Sequence, residues 1–349
     1  MKTLYDCIVI GGGPAGLSAA LYMGRFLRRT IVLDSGSGRS SFSQINENYL
    51  GFPDGVAVRE LRELGRRQAS RFGVEFADCE VTRLDHCEKV EGPTASQLEA
   101  LGKRLPIELA EEEFEGTERD FVVHSDAGVF HSRTVIICTG VCDQWPDLPD
   151  LERYVGTSLF WCITCDGFRT KDKEIVLYGC DEDAAATACQ FHLYTKRIRF
   201  VHPPGDIRWG HERACALRDF EIELIEGVPS HIVGEPGHMS GLALRDGRMI
   251  PGELMFSLMG VNPNNKLALD LGAVCNEHGY VQVDEEGYTS VPGLFCAGDL
   301  SGMHTHQIVS AVHEGAEAAQ TANYYLYADY QKVNLDGPLE EHVRGKSSV

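Results

Sequence analysis

Two cysteines separated by two residues, Cys162 and Cys165, stand between Trp161 and Asp166. Thiols at this spacing close a disulfide at little entropic cost, and each lowers the other's pKa towards the range where thiolate forms near neutral pH. The pair is a candidate redox centre. Thiol–disulfide exchange moves protons as well as electrons, so the carboxyl next in the chain, Asp166, is the candidate proton donor to a leaving thiolate. The competing reading is half of a zinc site. It needs two further ligands, and the other close pair, Cys138 and Cys142, has three residues between its members.

A redox disulfide needs a source or sink of electrons, and the N-terminus supplies a place for one. The apolar run Tyr5–Ile10 reads as a buried strand and leads into Gly11-Gly12-Gly13-Pro14-Ala15-Gly16, followed by an Ala- and Leu-rich helix over 17–28. This is GxGxxG in its strand–turn–helix setting. Gly11 allows the tight turn, Gly13 lets a pyrophosphate approach the backbone, Gly16 lets the helix pack on the strand, and the helix N-terminus offers N–H groups and a dipole to an anion. The next strand, 30–33, ends at Asp34, about 20 residues on, where a carboxylate holds an adenosine ribose. A dinucleotide is expected there.

With 349 residues the chain suits two domains, each able to bury a sizeable core. No window approaches the ~20 apolar residues of a membrane span, and an expected strand at 7–10 leaves no room for a signal peptide, so a cytoplasmic protein is expected. Most of the twelve cysteines are scattered through apolar segments and read as buried thiols. A formal charge of −20 argues against nucleic acid or an anionic membrane as partner. Within this acidic field, Arg59, Arg62, Arg66, Arg67 and Arg71 fall on an expected helix, either as a solvated face or as a docking patch for an acidic protein. The acidic stretch 85–119 reads as a solvated extension of the β-layer, and the tail from 331 as a frayed end.

Two further strands end in TVIICTG (134–140) and GLFCAGD (293–299). Both resemble the paired FAD-domain motifs of the pyridine nucleotide-disulfide oxidoreductases. The position of the CxxC, after the first of these parts, is similar to that in the low-molecular-weight thioredoxin reductases. WCITCDG stands where they have CATCDG, NENYLGFP (46–53) where they have ENWPGFP, and His306-Gln307-Ile308 where they have RQA before the last helix. The resemblance implies an α/β protein of two Rossmann-like, three-layer ββα domains: an FAD domain at 1–145 and 261–330, split by an inserted module at 146–260, with a tail at 331–349. It implies FAD held by Gly11, Gly13, Pro14, Ala15, Gly16, Asp34, Ser35, Asn48, Thr139, Gly140, Gly298, Asp299 at the ribitol, and His306, Gln307 and Ile308. The last helix, 307–327, would aim its positive end at reduced flavin. The same resemblance implies a thioredoxin-like partner and a homodimer.

The inserted module departs from that pattern. The family binds NADPH there through GxGxxA and HRR. This chain reads Gly179-Cys180-Asp181-Glu182-Asp183-Ala184 and His202-Pro203-Pro204. Carboxylates at a helix N-terminus satisfy the dipole themselves and repel phosphate, and prolines offer neither guanidinium nor N–H. The expectation is a flavin-dependent disulfide oxidoreductase that makes no direct use of NADPH and resembles the ferredoxin-dependent thioredoxin reductases, with ferredoxin as donor. Two alternatives stay open: an FAD-dependent dithiol oxidase that passes electrons to dioxygen, and an NADH- or NADPH-dependent reductase with an atypical nucleotide site.

Overall fold

In a computed structural model of the chain, the described residues are 4–42, 44–88, 119–302, 305–327 and 331–332. Most of the acidic stretch and all of the tail beyond 332 lie outside them. In chain order the elements that matter are β1 (Leu4–Ile10), α1 (Pro14–Arg25), β2 (Thr30–Asp34), the short hairpin β3 (Ile45–Asn46) and β4 (Val56–Ala57), α2 (Val58–Ser70), β5 (Glu75–Asp78), β6 (Val81–Glu88), β7 (Arg119–Ser125), β8 (Gly128–Ile137) and β9 (Val141–Asp143). There follow β10 (Leu159–Phe160), α3 (Ile163–Asp166), β11 (Ile175–Tyr178), α4 (Glu182–Phe191), β12 (Ile198–His202), α5 (His211–Asp219), β13 (Glu223–Glu226), β14 (Pro229–Glu235), β15 (His238–Leu244), β16 (Met249–Pro251), β17 (Leu254–Ser257), β18 (Val261–Pro263), α6 (Lys266–Asp270), β19 (Leu294–Cys296) and α7 (Ile308–Tyr325).

The chain divides into two compact units. One comprises described residues of 4–36, 65–140 and 264–332, the other 37–64 and 141–263. In the first, β5, β2, β1 and β8 run parallel, with β19 beside the second half of β8 and the antiparallel β7 and β6 beyond its first half. Alternation decides which side chain meets which layer. Cys7 and Val9 face α1 and α7 together with Val32, Ile136 and Phe295, whereas Ile8 and Ile10 face a second core with Leu84, Phe121 and Val123. Burial on both faces explains why β1 is continuously apolar rather than alternating. Small residues let the two helices approach: a Cβ at Gly315 of α7 would lie 2.1 Å from the Ala15 carbonyl oxygen.

The second unit holds a five-stranded, all-parallel sheet in the order β10-β17-β11-β12-β13. Its one face packs Ile175, Leu177, Phe200 and Phe256 on Ala184, Ala185, Ala188 and Phe191 of α4 and Leu217 of α5. Its other face packs Val176, Val201 and Met255 on Ile232, Leu242 and Leu244 of the antiparallel layer β14–β16. Residues 37–64, inside the first stretch expected for the FAD domain, group with this unit. α4 begins at Glu182 because Asp181 caps it.

Candidate functional site

The first glycine turn is shaped by backbone that a side chain would displace. Gly11 has φ +105°, and a Cβ on it would sit 2.4 Å from the Cys138 carbonyl oxygen, while one on Gly16 would sit 1.9 Å from the Gly11 carbonyl oxygen. Neither position admits another residue. Gly13 caps α1 with no side-chain hydrogen bond, Pro14 opens the helix, and the first turn holds no acid. The N-terminal N–H groups of α1 therefore face outwards with their dipole uncompensated by the helix's own side chains, as anion binding requires. Asp34 closes one side, its carboxylate within 2.6 Å of where a Gly12 Cβ would be, and Gly298 closes another, its would-be Cβ 2.8 Å from that of Ala15. Thus Gly11 to Gly16, Asp34 and Gly298 converge, with Ser35 and Asp299 next to them in the chain. Thr139 and Gly140 follow β8 at the same edge. Gln307 caps α7, with His306 before it and Ile308 as its first residue. Asn48 lies in the other unit, exposed, just after β3.

In the second unit Cys162 and Cys165 are joined as a disulfide at the start of α3, with Cα atoms 5.3 Å apart. The helix begins there because the Cys162 sulfur accepts from the Cys165 N–H at 3.1 Å, filling the role of a cap. Asp166, the last residue of that turn, is only 2% exposed. Its Oδ1 accepts from Nε of Arg169 at 2.9 Å and its Oδ2 from Nε2 of Gln44 at 2.9 Å. Arg169 pairs in turn with Glu47 and lies over the rings of Phe160 and Phe168. Burial raises the Asp166 carboxyl above its ordinary range, and the Arg169 hydrogen bond and charge oppose that rise. A buried acid that gains a proton readily is what a thiol exchange site needs beside it. Phe42, Trp145 and Trp161 form an aromatic group on the N-terminal side of the disulfide, with centroids 5.1 to 6.2 Å apart.

The second strand–turn–helix, β11 to α4, is built from the same parts with its anion site filled. Oδ1 of Asp181 accepts from the Ala184 N–H at 2.8 Å. Glu182 accepts from the Gly210 N–H at 3.0 Å and pairs with Arg213 at 2.9 Å. The incoming strand segment is held across the turn: the Arg208 N–H donates to the Cys180 carbonyl oxygen at 2.8 Å, and its guanidinium reaches the Cys180 sulfur and Asp206. His202 is buried, its ring edge-on to Trp209, which stacks on Phe200. Gly179 persists for packing, since a Cβ there would lie 2.6 Å from that of Ala184.

These features match known proteins along nearly the whole chain. A family model of pyridine nucleotide-disulphide oxidoreductases matches residues 5–322. The chain belongs to that family. A thioredoxin reductase of Listeria monocytogenes serovar 1/2a is 28% identical over 334 residues, covering 93% of this chain and 95% of its own. One from Treponema pallidum is 28% identical over 336 residues, covering 93% and 98%. Among solved structures, HlmI is 25% identical with a TM-score of 0.77 over 99% of this chain and 98% of that one. A thioredoxin reductase from Streptococcus pyogenes MGAS5005, 24% identical with a TM-score of 0.78 over 93% and 99%, shares the fold. The family membership and the two Rossmann-like α/β layers expected from the sequence therefore stand, as does the enzyme class: a flavin-dependent disulfide oxidoreductase of the thioredoxin-reductase type. Its FAD is matched by the turn at α1, whose glycines leave open the cradle that a Cβ would fill.

Several residues that serve this oxidoreductase left no mark in the sequence. Glu314 of α7 accepts from the Gly298 N–H and from the Ser301 hydroxyl, both at 2.8 Å, and so holds the Gly298–Asp299 turn. Asn264 donates to the Thr139 carbonyl oxygen at 2.8 Å and its own N–H donates to that of Gly140, pinning the other motif. Gln44 and Glu47 were likewise invisible, because nothing local ties them to Asp166 and Arg169, whereas Arg169 is only three residues from the acid it pairs with. Of the other cysteines, Cys7, Cys138 and Cys296 are fully enclosed, and burial pushes Cys7 up to about 12 and the other two upwards as well. They are packing residues. Among the described residues no group of three or more His, Cys, Asp or Glu is placed to hold a metal, and no helix is long and apolar enough to cross a membrane. On α2, Arg59 donates to the Ser41 carbonyl oxygen and Arg66 pairs with Asp78 over the Phe76 ring; Arg71, just after the helix, lies over Phe72.

Proposed function

We propose that this enzyme exchanges electrons between FAD, the Cys162–Cys165 disulfide and a partner disulfide without binding NADPH in its central module. The carrying observation is the α4 turn, where Asp181 caps the helix by accepting from the Ala184 N–H and Glu182 and Asp183 add charge of the wrong sign for a pyrophosphate. Arg208, a basic residue held against this turn, is turned onto Cys180 and Asp206.

The cofactor, when bound, supplies the two-electron couple. The chain's residues do the rest. In the dithiol state one cysteine thiolate attacks a sulfur of the partner disulfide, the partner's S–S bond breaks, and its leaving thiolate takes a proton. The second cysteine then attacks the mixed disulfide, restoring Cys162–Cys165 and releasing a partner dithiol two electrons richer. Asp166, next to Cys165 in the chain, holds and returns the proton in this reading when the enzyme's own sulfur leaves. The partner is a thioredoxin-like protein, consistent with the relatives named above. A reducing, cytoplasmic setting suits a chain whose ten other cysteines are all free thiols. Arg59 and Arg66 on α2, and Arg71 just after it, are engaged by the chain's own groups, so these arginines add little to the case for ferredoxin as donor.

The test is anaerobic titration of the purified flavoprotein while flavin absorbance is followed. NADPH and NADH should leave the spectrum unchanged, whereas dithiothreitol should bleach it. Stoichiometric bleaching by NADPH overturns the reading. Rapid reoxidation by dioxygen after dithiol bleaching, with no turnover of thioredoxin disulfide, would replace the reductase by a dithiol oxidase.

A further inference from the structure

The Asp166 carboxyl is gripped at both oxygens, and the two grips differ in kind. Arg169 can only donate, so Oδ1 is committed to its guanidinium in either state of the acid. That guanidinium is itself fixed by Glu47 and by the faces of Phe160 and Phe168. A proton on Asp166 must therefore reside on Oδ2, which faces the amide of Gln44 at 2.9 Å. An amide carries a donor and an acceptor at one end. By turning over about its last torsion, Gln44 can donate to the carboxylate and accept from the carboxylic acid without either heavy atom moving. Its backbone is seated to do so. The Val58 N–H donates to its carbonyl oxygen at 3.0 Å, and Gly156, at φ +76°, lets the chain at Gln44 pass where a Cβ would come within 3.2 Å of its Cα. The other charge that acts on this acid is Glu47; the Asp166 N–H donates to the Cys162 carbonyl oxygen at 3.0 Å, and the Tyr194 ring lies against Gly167, the next residue.

We infer that Gln44 is a positioning residue for the proton step: with Arg169 it confines the exchangeable proton to Oδ2 of Asp166 and hydrogen-bonds the acid in both of its states. This deepens the disulfide-exchange reading and rests on it, but not on the absence of nucleotide binding. The step concerned is the opening of the enzyme disulfide. A small dithiol's thiolate attacks one sulfur, the Cys162–Cys165 bond breaks, and the leaving cysteine thiolate receives the Oδ2 proton. The dithiol's second thiol then displaces the mixed disulfide, leaving a cyclic oxidised dithiol and two enzyme thiols.

The experiment follows reduction of the holoprotein by dithiothreitol under anaerobic conditions, with thiols trapped by alkylation and counted by mass, across a pH series. It uses neither nucleotide nor flavin signal, so it reads the same whether or not NADPH proves to be a donor. Gln44→Met should slow opening about tenfold, a part of the 10²–10⁴ that a general acid contributes. It should also move the limb where Asp166 loses its proton to higher pH, because the ionised carboxyl has lost a donor. In an Asp166→Asn background the same substitution should change nothing further. An equal slowing in that background, or an unmoved limb with an unchanged rate, overturns the inference. If Gln44→Met does not accumulate as folded flavoprotein, Gln44→Asn, which keeps the amide but falls short of Oδ2, is expected to behave in the same way and is judged by the same two results.

Discussion

The turns before α1 and α4 start from one plan: an apolar parallel strand, a glycine that no other residue could replace, and a helix whose alanines pack on the sheet. They part at the first helical turn. Before α1 the cap is Gly13 with no side-chain hydrogen bond and no acid follows, so the helix presents N–H groups that its own side chains do not cap. Before α4 the cap is Asp181, two more acids follow, and Arg208 is drawn across the turn by Cys180 and Asp206. The difference teaches that the strand–turn–helix fold does not depend on which group caps its helix. The packing glycine and the hydrophobic faces are required by the sheet, whereas the anion site is a separate property of a few N–H groups. A carboxylate that caps the helix stabilises the fold by about 1 kcal/mol and brings negative charge to the turn with the same hydrogen bond.

The comparison breaks most visibly at Gly16. Gly16→Val should cost about 3 kcal/mol or more through overlap with the Gly11 carbonyl, and purified protein should carry almost no flavin by its absorbance ratio. Asp181→Gly, by contrast, should keep full flavin content. A smaller effect is expected from Glu314→Ala, which leaves the Gly298 N–H and the Ser301 hydroxyl without their acceptor and should cost about 1–3 kcal/mol in denaturant unfolding, with partial flavin loss. Asp181→Ala should remove the α4 cap for about 1 kcal/mol, a fall of roughly 2–4 °C in the melting midpoint. It should still not admit NADPH, since Glu182 and the Arg208 segment remain. Bleaching by NADPH in that variant would show that one carboxylate alone had closed the site.

The smallest effect is a matter of sign. Burial raises the Asp166 carboxyl, so the folded chain retains a proton that the unfolded chain releases. The contribution of this group to stability is full below the ordinary value of 3.8 and falls as pH rises through the raised one. Glu182 runs the other way: the Gly210 N–H and then Arg213 lower it, and its contribution is lost as pH falls. The melting midpoint of the wild type minus that of Asp166→Asn should therefore decline as pH rises above the ordinary value of 3.8. A rise would mean that Arg169 and Gln44 outweigh the cost of burial.

What the amino-acid sequence determined by itself is what depends on near neighbours. The strand–turn–helix units, the CxxC with its acid, and the carboxylates at α4 are each written within a dozen residues, since backbone freedom, hydrophobic period and cap chemistry act over that range. The tertiary structure alone decided which distant side chains serve them: Gln44 and Glu47 around Asp166 and Arg169, Glu314 under Gly298, Asn264 against Thr139, and residues 37–64 beside 141–263. No local propensity encodes those pairings. They arise because the sheet order brings together segments separated by many tens of residues, and because buried polar groups there must find partners or forfeit their hydration.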